Sequence, residues 1–144
     1  MKLNTRTITR MMLIAILIAL PSQAVFAEMN AEATFQTGNV NGIAYMTGGV
    51  GLDERESLRA IAGTKYNVKL VFALTNRDYV ADIPVEITNK SGKKVLEVVS
   101  SGPIFYVNLP AGAYTVRTSY EGVAVTHHIN AGSAASRQVL FSWR

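Results

Sequence analysis

His127 and His128 are the only histidines in this 144-residue chain, and they are adjacent. Neighbours on a strand point to opposite faces, so the pair cannot close on one metal, and zinc needs three or four ligands. In VAVTHHIN, His127 falls in register with Val123, Val125 and Ile129, while His128 lies with Thr126 and Asn130. That pattern predicts one packed imidazole and one exposed, with no metal held. Asp53, Glu54 and Glu56 are crowded into LDERESLRAIAG beside Arg55 and Arg59. At helical spacing these charges read as ion pairs rather than as an acid–base couple. GGVG, Gly48 to Gly51, precedes that segment, where backbone N–H groups could cradle an anion. No lysine follows as in a phosphate loop, and the acids at the positive helix end repel phosphate. A joint is the expectation. Without cysteine or G-x-S-x-G, the chain is expected to be no enzyme, with no catalytic residue, metal or cofactor.

Contact chemistry is the better handle. Tyr45, Tyr79 and Tyr106 fall in loops or off the inferred core face, and exposed aromatic rings favour protein or sugar contacts. The run DIPVEIT places Ile83, Val85 and Ile87 on one face of a strand. Pro84 lacks an N–H, which predicts a sheet edge or a strand that starts after a bulge. These six residues form the expected partner surface.

The elements that must carry these residues follow from the pattern. Residues 1–27 read as a secretory leader: Lys2, Arg6 and Arg10, then the apolar run Met11 to Leu20, then small residues up to a cut after Ala27. The apolar run is about half the ~20 residues of a membrane span. Three of the 14 basic residues leave with the leader and none of the 10 acidic ones do, so the remaining 117 residues carry 11 against 10. So balanced a charge argues against nucleic acid as a partner. Residues 28–51, rich in Gly and Asn, read as a flexible arm. Residues 52–63 read as a short helix with Asp53 as N-cap and Leu58, Ile61 and Ala62 as its apolar stripe. Residues 64–144 give seven period-two runs separated by turn signals, an antiparallel β-sandwich. Without cysteine, packing and sheet hydrogen bonds must hold it together.

LPAGAYTV, Leu109 to Val116, is the most specific of these signals. Pro110 stops one strand, Gly112 supplies a permissive backbone, and Tyr114 and Val116 re-enter the core. With the surrounding span from Asp82 to Trp143, it resembles the carboxypeptidase regulatory-like domain. The resemblance implies an all-β, seven-stranded Ig-like or transthyretin-like sandwich, here with one short N-terminal helix. The upstream stretch, GIAYMTGGVGLDERESLRAIAG, is similar to that of small exported bacterial proteins carrying this domain. The enzyme branch of the transthyretin-like fold, the hydroxyisourate hydrolases, ends in Tyr-Arg-Gly-Ser, against Phe141-Ser142-Trp143-Arg144 here. The family therefore implies an exported, periplasmic or extracellular, non-catalytic binding or scaffolding module of the cell envelope. Its expected partner is an envelope protein, with an envelope polysaccharide as the alternative and a small hydrolase as a third reading.

Overall fold

The computed structural model describes residues 35–63, 65–132 and 136–144. The leader and the first residues of the arm lie outside them. Two β-sheets pack face to face, and one helix lies on the outer side of the first. In chain order the elements are β1 (Gln36–Val40), β2 (Ile43–Gly48), α1 (Leu52–Ala62), β3 (Val68–Leu74), β4 (Ile83–Asn89), β5 (Lys94–Ser100), β6 (Ile104–Val107), β7 (Gly112–Tyr120), β8 (Val123–Ala131) and β9 (Arg137–Trp143). The first sheet has the order β1-β2-β6-β3-β9 and the second β5-β4-β7-β8.

The described strands number nine, against the seven expected, and both additions come from the stretch read as a flexible arm. Asn41 and Gly42 both have positive φ, 53° and 81°. That is the turn that matches the twist of a two-residue hairpin, and it pairs Val40 with Ile43. Polar composition hid this hairpin. Inside it Gly38 lies opposite Tyr45, and a Cβ at Gly38 would collide with the Tyr45 ring. The ring itself stacks on Phe105 with centroids 5.4 Å apart. A second departure is β9, which pairs with β3 in parallel, Val68 with Arg137 through Leu74 with Trp143. The sheet is therefore mixed rather than antiparallel throughout.

The core between the sheets is built by period-two alternation. Val68, Leu70, Phe72, Phe105, Val107, Phe141 and Trp143 come from one sheet, and Ile83, Val85, Ile87, Leu96, Val116 and Ile129 from the other. Fully burying side chains of this size is worth about 1.5–3 kcal/mol each. A separate cluster joins α1 to the outer face of the first sheet: Leu58 and Ala62 pack on Met46, Ile104 and Tyr106. Ile61, expected in that stripe, is 42% exposed. The helix starts from Gly51 with no side-chain cap, so Asp53 stands inside its first turn.

Polar bridges close the two corners where the sheets meet. Ser100 Oγ donates to the Gly102 carbonyl at 2.8 Å. Its single proton is thereby used, so Thr47 donates to Ser100 across 2.5 Å. Both residues are fully buried. Gly102 lies so close to the Gly48 backbone that a Cβ there would strike its carbonyl. At the other corner Trp143 Nε1 donates to the Val123 carbonyl at 2.9 Å.

Candidate functional site

The LPAG turn is held from two sides. Asn67 presents its amide to Leu109 as a strand would, Nδ2 donating to the carbonyl at 2.7 Å and Oδ1 accepting the N–H at 2.9 Å. Tyr114 returns across the turn, and its hydroxyl donates to the Pro110 carbonyl at 2.8 Å. Burial pushes the Tyr114 phenol pKa up. The turn fixes the passage from β6 into β7, and its own chemistry is spent on that.

The expected partner surface does not assemble. Ile83, Val85 and Ile87 are buried between the sheets. β4 is not an edge: it lies between β5 and β7. Pro84 is tolerated because the β4–β7 pairing begins one residue later, at Val85 with Thr118. Tyr106 is buried as well, at 5% exposure. Alternation was right to turn it away from the inter-sheet core, but α1 covers the outer face it reaches. Burial raises its pKa, against a smaller opposing effect of Arg59, and the Lys69 ammonium sits 5.7 Å from its ring centroid. That lysine is itself pushed down by burial, then by Arg59. Tyr45 is half-buried against Phe105. Tyr79 alone of the six is exposed, at 53%, with the Arg55 guanidinium 4.8 Å above its ring.

The other candidate chemistry is also spoken for. Glu54 Oε1 accepts the Gly49 N–H at 2.9 Å, so the side chain of the helix itself occupies the place an anion would take at the glycine run. His127 packs edge-on against Phe141, centroids 4.7 Å apart at 89°. His128, on the opposite face, shares a hydrogen bond of 3.0 Å between Nδ1 and Thr115 Oγ1. Among the described residues no three His, Asp or Glu side chains cluster as metal ligands. Nor is any helix among them long and apolar enough to cross a membrane.

Four strands end the sheets, β1 and β9 in the first and β5 and β8 in the second, and the longest of them is β8. It is an edge strand of nine residues, VAVTHHINA, with no Lys, Arg, Asp, Glu, Pro or Gly. Its pairing with β7 runs unbroken from Gly112–Ala131 to Tyr120–Val123. The opposite edge of the same sheet, β5, is guarded. A register shift interrupts its pairing with β4, and Lys94 bridges Glu86 at 2.9 Å and Glu97 at 2.8 Å. Those bonds, to Glu97 first and then Glu86, raise the Lys94 pKa. Charges and irregularities are how proteins blunt sheet edges. β8 has neither. Sequence reasoning passed over it because nothing local marks an edge; the strand order has to be known first. No protein-family model matches this chain, and no curated protein matches it either.

Proposed function

We propose that this chain is a transthyretin-like sandwich of the carboxypeptidase regulatory-like kind, exported to the bacterial cell envelope as a non-catalytic binding module. Its partner is an extended segment of another envelope protein, which adds as a strand to the free edge of β8. The observation that carries this reading is the unguarded edge: nine residues, no formal charge, no proline, and an unbroken ladder behind it. Main-chain hydrogen bonds give affinity in strand addition, and alternate side chains give selectivity. Here Ala124, Thr126, His128 and Asn130 stand exposed along one face of the strand. The leader-like residues 1–27 and the LPAG resemblance support the envelope assignment.

The alternative, a module for envelope polysaccharide, began from Tyr45, Tyr79 and Tyr106 as a stacking platform. Tyr106 is buried and Tyr45 is half-buried against Phe105, so the three rings do not form that platform. A hydrolase finds no support in His127 or His128, whose contacts are to Phe141 and Thr115.

The test is photo-crosslinking in cells with the reactive residue at Thr126, compared with the same residue at Ser91 in the β4–β5 turn. A discrete protein adduct from position 126 alone, abolished by the paired substitutions Ala124→Lys and Ser119→Lys on the β7–β8 rim, is expected. Adducts of equal yield from both positions, an adduct with a second copy of this chain, or none from a well-expressed protein would overturn it.

A further inference from the structure

Among the described residues no element covers the outer face of the second sheet, and at the LPAG end that face is hollow. Two adjoining depressions of about 370 and 570 Å³ share Asn89, Lys90, Ala113 and Tyr114. Register explains the convergence: Thr88 lies opposite Thr115, Thr115 opposite His128, and Ala113 opposite Asn130. The β4–β5 turn then folds Asn89 and Lys90 over one side.

The lining has a sign. It contains one lysine and one histidine and no carboxylate. Lys90 is exposed and forms no ion pair among the described residues. Asn89 Oδ1 is committed to its own turn, accepting from the Ser91 N–H, the Ser91 hydroxyl and the Lys93 N–H. Its NH2 group is left as a donor. His128 Nδ1 and Thr115 Oγ1 share a hydrogen bond, which leaves Nε2 as the free ring nitrogen. Asn130 is exposed beside them. A cleft lined by an ammonium and by amide N–H groups, without an opposing acid, is suited to an anion on a polar carrier.

We propose that this cleft binds a carboxylate-bearing polar ligand, with Lys90 supplying the charge, Asn89 and Asn130 the directed donors, and His128 a polar wall beside them. The site shares His128 and Asn130 with β8 and extends from them to Thr115 on β7 and to Lys90 on the β4–β5 turn. It also revives a saccharide partner on grounds other than the tyrosines. The carboxylate could belong to an acidic sugar or to a small free acid, and the experiment separates them.

Amide NMR spectra of the folded protein are recorded against trigalacturonate, its neutral counterpart maltotriose, and acetate. Saturable shifts at Lys90, Thr115 and Asn130 with trigalacturonate, and none with maltotriose, are expected. Lys90→Ala, an exposed turn substitution, should weaken binding about ten-fold, the scale of one charge-assisted hydrogen bond. Matching shifts from acetate would assign the site to small carboxylates, and silence from acetate to the acidic sugar. Equal response to maltotriose, indifference to Lys90→Ala, or no shift at about 10 mM, beyond any useful affinity, would overturn the proposal.

Discussion

At the scale of single residues, the fold depends on a few polar groups whose partners are far away in sequence. Asn67 is the clearest case, since both ends of its amide bind Leu109, 42 residues on. Asn67→Ala removes both bonds and leaves the Leu109 N–H and C=O without their partner. A loss of about 2 kcal/mol is expected, from the cost of unmet backbone groups, read as a shift in the urea midpoint at unchanged slope. Thr118 predicts the opposite sign. It is 1% exposed and its hydroxyl has no hydrogen-bond partner among the described residues. Thr118→Val keeps the branched shape and removes the unmet group, so it should stabilise by about 1 kcal/mol. A destabilised valine variant would mean that the hydroxyl is satisfied by water. Little of this was legible beforehand. The sequence marks LPAG and Tyr114 as a turn and a core re-entry, but nothing near Asn67 announces that it will act as a surrogate strand.

Between elements, the contact of α1 with the first sheet governs what happens at high pH. Burial raises the Tyr106 pKa, so the folded state holds that proton more tightly than the unfolded chain, whose value is about 10. The stability tied to the neutral phenol is complete below pH about 10 and is lost as pH rises through the folded value. Lys69 works in the other direction. Its lowered pKa makes the charged ammonium a burden to the fold, and the burden lifts as pH climbs toward 10.5. Tyr106→Phe isolates the phenol. Its stability relative to wild type should be constant below pH about 10 and should improve above it; a constant difference throughout would remove Tyr106 from the account. The period-two runs gave seven of the nine strands, because alternation is strong where one face is buried. The hairpin Gln36–Gly48 was missed although Asn41-Gly42 is a strong two-residue turn signal, because Gly38, Asn39 and Thr47 dilute the apolar pattern around it. Pro84 is compatible with an edge or with the start of a ladder, and only the strand order, with β4 between β5 and β7, decides against the edge.

For the whole molecule, what matters is which strands end the sheets and how long and how charged each of them is. Strand order is a global property, set by which elements α1 covers and by where the chain crosses between sheets, so β8 could not be identified as an edge from its own residues. Two sheets pinned at both corners, by Thr47–Ser100 and by Trp143–Val123, make a stiff body that presents this strand in a fixed shape. Strand addition then loses little to ordering the receptor, which favours affinity.

Amide hydrogen exchange across β8, with and without the protein captured by crosslinking at Thr126, tests this most directly. In the free protein, amides of β8 bonded to β7 should exchange slowly, while those directed to the open edge exchange fast. Adding the partner should slow the open-edge amides between Val123 and Ala131 and leave β5 unchanged. Slow exchange at every β8 amide in the free protein, or protection appearing only outside β8 on binding, would contradict the edge as the working surface.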